Sequence, residues 1–314
     1  MMLKKLGIHS ITLDLPFRLN HVNCFLAEGN NGMLLIDTGL NDEKTRERWN
    51  EELKNIELKD IIITHHHPDH VGAAGYLQNK YHANIHMGKI EEELALTHVD
   101  ESAVNKLPEY YYKSGVPEVK GREMSENTRE FTSVVTPYPK VTNYITEQKE
   151  YKIGNEIYKP YVVPGHSDGL ITFYNKKNKV LISTDHILPR ITPNISYWYQ
   201  GDSNPLQSYF NSLNRMKELT IDYVIPSHGE PFYNGTKRIN ELIAHHEERC
   251  DYLLSILSQK KLNVYQVSKA LFPFELSVHE LRFAIGETVA HLEYLRRRGD
   301  CKRDIHEGKW YYYL

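Results

Sequence analysis

The stretch Thr64-His65-His66-His67-Pro68-Asp69-His70 brings four metal-competent side chains, His65, His67, Asp69 and His70, within six residues. In extended backbone, side chains two apart project to the same side, so His65 and His67 can grip one ion. Where the chain turns into a helix, Asp69 and His70 swing to another direction and can grip a second. The apolar run Ile61-Ile62-Ile63 before the cluster predicts a short buried strand, and Val71 to Leu77 after it predicts a helix. A tight turn between strand and helix then carries the donors. An exposed histidine-rich turn would account for the histidines, but not for their spacing with an aspartate directly after a buried strand.

Four other segments share this design. Met33 to Ile36 ends in Asp37, and Ile157 to Val163 leads into Pro164-Gly165-His166. Lys179 to Ile182 ends in Ser183-Thr184-Asp185, and Asp222 to Ile225 ends in Pro226-Ser227-His228. Strands of one sheet system that all finish in ligand-type residues gather them at one edge. The positioning elements complete an alternating pattern: strands at Ile8–Leu13, Val22–Ala27 and Asn84–Met87, a helix from the Asn41-Asp42 cap to Leu53, and another from Pro205 to Leu219. Leu170–Tyr174 pairs with Lys179–Ile182 as a hairpin through Asn175–Asn178. Asp168, two residues after His166, reads either as an assistant at the site or as a solvated turn aspartate.

Residues 91–150 break the alternation. They are charged, carry Tyr110-Tyr111-Tyr112 and end in Thr136-Pro137-Tyr138-Pro139, which predicts an insertion of irregular helices. Two readings stand: a lid over the site, or a surface helical pair that touches no substrate.

The chain of 314 residues can bury a full core, as one large domain or two unequal ones. With 40% hydrophobic and 25% charged residues it has ordinary globular composition, and a net charge of -3 gives no argument for a polyanion partner. Cys24, Cys250 and Cys301 lie far apart without C-x-x-C spacing, which predicts free thiols in a reducing compartment. No apolar stretch follows Met1 to Leu6 and no run reaches membrane-spanning length, so a cytoplasmic protein without membrane contact is expected.

In order, Leu-Ile-Asp-Thr-Gly at Asp37, the His65 to His70 run, Pro-Gly-His-Ser at His166, Ser-Thr-Asp-His at Asp185 and Ser-His-Gly-Glu-Pro at His228 resemble the motif series of the metallo-β-lactamase superfamily. The resemblance covers residues 1 to about 240. Within the superfamily the chain is similar to the glyoxalase II-like hydrolases, because Asp185 stands where the β-lactamases proper usually carry cysteine. The resemblance implies an α/β (α+β) fold, an αββα sandwich over residues 1–236 with 91–150 as its insertion. It implies one metal on His65, His67 and His166, a second on Asp69, His70 and His228, and Asp185 bridging both. Asp69 and Asp185 are the implied catalytic carboxylates, and Asp37 the implied residue orienting the site from behind. Imidazole and carboxylate without thiolate suit two divalent ions, zinc first, with iron and manganese open. A hydroxide held between two cations is available at neutral pH, because binding lowers the pKa of water from ~16 to roughly 7. The implied activity is metal-dependent hydrolysis of a small-molecule thioester, ester or lactone.

Residues 237–314 predict helices from about Thr236, from Asn263 to Phe272 and from Ser277 to Arg298, the last with a Ser277/Glu280 capping box, then a hairpin from Cys301 to Tyr313. This order resembles the C-terminal winged-helix module of some of these hydrolases, a group that includes ribonucleases. Such a module would offer Arg296, Arg297, Arg298, Lys302 and Arg303 to nucleic acid, which gives the alternative of a metal-dependent endoribonuclease. Residues 245–314 hold 11 Lys/Arg against 10 Asp/Glu, where nucleic-acid modules are more lopsided. Closing the active-site cleft or making a homodimer contact is therefore the expected role. His245-His246 finds no partner at ligand spacing and is expected to pack or to face solvent.

Overall fold

A computed structural model describes residues 2–98 and 100–314. Its first sheet runs, in spatial order, β1 (Ile8–Asp14), β2 (His21–Glu28), β3 (Met33–Ile36), β4 (Leu58–Ile63), β5 (Asn84–Met87) and β6 (Asn143–Tyr144). The second runs β12 (Phe232–Tyr233), β11 (Tyr223–Pro226), β10 (Val180–Thr184), β9 (Ile171–Asn175), β8 (Glu156–Val162) and β7 (Tyr151–Ile153). Alternation along each strand decides what its faces cover. In β4, Ile62 joins Ile36, Phe173, Ile182 and Ile225 between the sheets, while Ile61 and Ile63 pack outward with Trp49, Leu53 and Leu77 of the flanking helices. Both faces are covered, which is why the strand reads as an unbroken apolar run. Each of these side chains contributes about 1.5–3 kcal/mol on burial. The result is the expected αββα sandwich.

Strand direction gathers the strand ends. β3 and β4 are parallel, and so are β10 and β11. β8 runs antiparallel to β9, which runs antiparallel to β10, so β8 shares the direction of β10. The four strands that lead into ligands, β4, β8, β10 and β11, and β3 with Asp37, thus finish at the carboxyl edge of their sheet. Main-chain bonds stitch the two edges together, Ile171 N–H to the Thr64 carbonyl at 3.1 Å and Asn23 N–H to the Ser227 carbonyl at 2.7 Å.

The single helix expected after the histidine turn is two pieces, Pro68–Val71 and Ala74–Tyr81. Gly72 lies at the break, where a Cβ would sit within 2.7 Å of the carbonyl oxygens of Pro68, Gly39 and Val134. Only a residue without a side chain lets three backbone segments meet there. The insertion is more regular than its sequence suggested: helices Lys89–His98, Glu101–Val104, Leu107–Lys113 and Glu118–Glu130, then a 3₁₀ turn at Ser133–Val135.

The C-terminal residues form helices Gly235–Leu257, Val264–Leu271 and Val278–Arg298 with a small sheet of β13 (Leu262–Asn263), β15 (Lys309–Tyr313) and β14 (Lys302–His306). The Ser277/Glu280 capping box forms, with bonds of 2.9 and 3.2 Å, and Gly299 ends the helix at φ 87°. Leu253, Val264, Val289, Leu292 and Tyr312 share one apolar cluster with Leu181, Val224, Leu206 and Tyr209, so these helices close over the outer face of the second sheet. The basic run is compensated locally. Glu293 pairs with Arg296 and Arg303, each at 2.8 Å, and Arg298 pairs with Asp300 at 2.8 Å.

Candidate metal centre

All seven residues that the sequence nominated as ligands meet at the joined carboxyl edges. His65, His67 and His166 form one triad, His65, His70 and Asp185 a second, and Asp69, His70 and His228 a third, each with donor atoms within 4.8 Å of one another. Asp185 stands in the middle: its oxygens lie 3.4 Å from His70 Nε2, 3.4 Å from His166 Nε2 and 3.2 Å from His228 Nε2. Asp69 Oδ2 lies 3.5 Å from His70 Nε2 and 3.4 Å from His228 Nε2. His65 Nε2 and His67 Nδ1 approach to 3.1 Å.

The turns that carry these groups are unusual for their residue types. Asp37 has φ 59° and Thr184 φ 49°, left-handed values that a β-branched threonine rarely takes. Such strain persists where the surroundings over-determine it, here immediately before Asp185 and behind His70. Gly165 has φ 139° and lies against Tyr209, where a Cβ would come within 2.5 Å of the tyrosine Cβ. That closeness seats the His166 turn on the helix Pro205–Lys217.

Outer hydrogen bonds fix the imidazoles. Asp37 Oδ2 accepts from His70 Nδ1 at 2.8 Å, and its carboxylate also accepts from the Thr64 N–H (2.9 Å) and hydroxyl (2.8 Å). His166 Nδ1 donates to the Asn194 carbonyl at 2.8 Å and His228 Nδ1 to the His21 carbonyl at 2.6 Å. Each bond leaves the inward Nε2 with its lone pair. Nε2 of His70, His166 and His228 and Oδ1 of Asp185 are buried without a hydrogen-bond partner. Buried lone pairs aimed at one another are costly unless a cation takes them. The donor set therefore fits metal.

Electrostatics agree. Burial, aided by neighbouring histidines, holds His65 and His67 well below the ordinary imidazole range, so both offer neutral nitrogens. Burial also pulls on His70 and His228, but the carboxylates around them, Asp185 foremost, outweigh it and raise both. Positive charge is favoured at this point, and a cation can supply it in place of protons.

Apart from Asp37, sequence reasoning missed the main supports. Glu91, fully buried, accepts from the His66 N–H (2.8 Å) and imidazole (2.6 Å), the Ser167 hydroxyl (2.5 Å) and the Gly169 N–H (2.6 Å). It ties the histidine turn to the His166 turn. Asp168 is half-buried and accepts from the Asp202 N–H at 2.8 Å, holding a loop in place. Of the aromatic triplet, Trp198 lines the cavity beside the cluster, whereas Tyr199 is stacked on Tyr110 at 4.2 Å. His246 is buried and bonded to His291 at 3.0 Å, so it packs, but against expectation it also finds partners at ligand spacing, since its donor atom lies within 4.8 Å of those of Glu287 and His291; His245 is only partly buried.

One support comes from the C-terminal helix Val278–Arg298. Glu287 is held by Arg249 and accepts from Asn194 Nδ2 at 2.9 Å, and the Asn194 carbonyl in turn orients His166. Glu287→Ala should therefore lower metal retention by about 10–100-fold, as loss of an outer-shell partner does. Equilibrium dialysis against a metal buffer reads this directly; retention equal to wild type would show that Asn194 holds without Glu287.

Comparison with known proteins gives the same picture. Residues 18–228 match the Metallo-beta-lactamase superfamily and residues 250–313 the Metallo-beta-lactamase-like C-terminal domain. A probable metallo-hydrolase of Bacillus subtilis is 27% identical over 299 residues, 91% of each chain. A metallo-beta-lactamase family protein from Thermus thermophilus superposes with a TM-score of 0.85 at 29% identity over 98% of both chains. A beta-lactamase domain protein from Burkholderia ambifaria gives 0.85 at 26% identity, covering 98% of this chain and 92% of that one. Among the described residues no helix is long and apolar enough to cross a membrane.

Proposed function

This chain belongs to the metallo-beta-lactamase superfamily and is a metal-dependent hydrolase, and from that premise we propose that a pair of divalent cations serves it in cleaving a small thioester, ester or lactone. His65, His67 and His166 would hold one cation and Asp69, His70 and His228 the other, with Asp185 between. Support comes from the mutual approach of these donors and from their unpartnered inward atoms. The imidazole–carboxylate set suits zinc, and equally iron or manganese. When bound, such cations supply Lewis acidity and water whose pKa is lowered to roughly 7.

The chain's own residues do the rest. Asp37, Asn194 and His21 fix the imidazole orientations through Nδ1. Asp69 lines the cavity, and its carboxylate would orient the attacking water and take its proton. Asp185 would keep the two halves in register. Glu91 holds the two ligand turns together.

The observation that carries the substrate class is the cavity beside the donors. It measures about 620 Å³, within the range of small-molecule sites, and Leu15, Phe17, Phe131, Val135, Trp198 and Phe283 line it. An apolar acyl or ring portion fits such walls. A nuclease would need a basic track, and three of the five cations at 296–303 are committed to Glu293 and Asp300. The test is a panel of thioester, lactone, phosphodiester and RNA substrates on one metal-loaded sample. Turnover of the thioester or lactone, nearly independent of ionic strength, is expected. Cleavage of RNA alone, weakening steeply with salt, would overturn the reading.

A further inference from the structure

Arg282 enters the same cavity from the early turns of the helix Val278–Arg298. It is only 9% exposed. Its Nη1 donates to Asn127 Oδ1 at 3.0 Å, and its side chain also bonds Tyr111. The guanidinium lies over Phe131 at 5.4 Å and Phe283 at 6.0 Å. Its Nε is buried without a hydrogen-bond partner, and among the described residues no carboxylate forms an ion pair with it. Arg18, the other arginine on the cavity wall, is exposed and pairs with Glu280 at 3.6 Å. Glu280 is engaged further by the helix cap, and Asp69 and Asp185 face histidines.

A guanidinium out of water without a counter-charge costs several kcal/mol, and arginine does not escape by losing its proton. The two phenylalanine faces offset only part of that. One turn earlier on the same helix face, His279 packs in a three-ring cluster with Phe17 at 4.7 Å and Phe131 at 5.1 Å, rings that also touch each other at 5.7 Å, and its Nδ1 is buried without a partner. An apolar wall thus carries one uncompensated cation and one unused polar nitrogen. That combination is selective for a ligand with a greasy body and a single charged head.

Resting on the hydrolase reading, we propose that Arg282 receives an oxyanion of the substrate, so that the preferred substrate is an apolar acyl compound bearing a negatively charged group separate from the bond that is cleaved. Arg282 lines the cavity as a cation without an ion-pair partner among the described residues, so its guanidinium is the charge available to that oxyanion, and charge-assisted bonds of this kind are the strong ones.

Equilibrium binding to the metal-loaded full chain tests this with two probes of equal length, octanesulfonate and the neutral octyl methyl sulfone. Sulfonates bind divalent cations weakly, so the pair reports the arginine and not the metal centre. Wild type should bind the sulfonate more tightly, and Arg282→Gln should weaken the sulfonate by about 10–100-fold while leaving the sulfone unchanged. Arg282→Lys should recover part of the loss. Equal binding of both probes by wild type, or equal weakening of both in Arg282→Gln, overturns the proposal and makes Arg282 a scaffold between Asn127 and the C-terminal helix. Turnover of a neutral thioester alongside such a failure would leave the hydrolase reading standing. Charge-selective binding with no hydrolysis of any substrate would sink that reading instead.

Discussion

Asp185→Ala should all but abolish hydrolysis and cut the metal held per chain, while the protein remains folded. Among the described residues Asp185 is the one carboxylate within 3.4 Å of His70, His166 and His228 together, groups that arrive on three different turns. Its own pKa is held well below the carboxylate range; burial alone would raise it, but the His228 and His70 charges overcome that. Removing one partner from a buried charge cluster costs about 3–5 kcal/mol. Taken from transition-state stabilisation, that is roughly 10²–10⁴ in rate. Hydrolysis and metal content measured on one sample check this. Full activity with full metal content would show that Asp185 is dispensable. The core cluster between the sheets does not include this residue, so the fold itself should survive.

Glu91→Ala should be the most destabilising single change around the site, by about 3–5 kcal/mol, because it strips a buried carboxylate from four donors at once. The two ligand turns lose their tie, so metal affinity should fall as well. The pH dependence has a definite sign. Burial alone would raise the Glu91 pKa, but the His66 charge and the bonds from His66 and Ser167 overcome it and lower the folded value. A lowered folded pKa means the contribution is complete above the unfolded value of about 4.3 and is lost as pH falls through the folded one. Denaturant unfolding should thus show a wide gap between wild type and variant at neutral pH that narrows on acidification. A gap that widens in acid would contradict the assignment.

The donors were legible because they obey local rules. His65 and His67 share a side through strand periodicity, and Asp37, His166, Asp185 and His228 each follow a short apolar run that could be read from sequence. Their supports obey no such rule. Glu91 reaches His66 across 25 positions, His21 reaches His228 across 207 and Glu287 reaches Asn194 across 93. Those contacts exist only once the sheets are stacked and the C-terminal helices have closed over them. Arg282 and His279 look in sequence like ordinary members of an amphipathic helix, and only the position of that helix turns them into a cavity wall. β6, β12 and β13 are two residues long, too short for alternation to register. The break at Gly72 likewise depends on carbonyls supplied from Gly39 and Val134.

The proposed hydrolysis presupposes room and ligands for two cations. The most direct measurement is metal content by mass spectrometry after loading and exhaustive dialysis of the wild-type chain. Two equivalents of zinc, iron or manganese retained per chain is the predicted result. One equivalent or none, under conditions where the protein is folded, would contradict it.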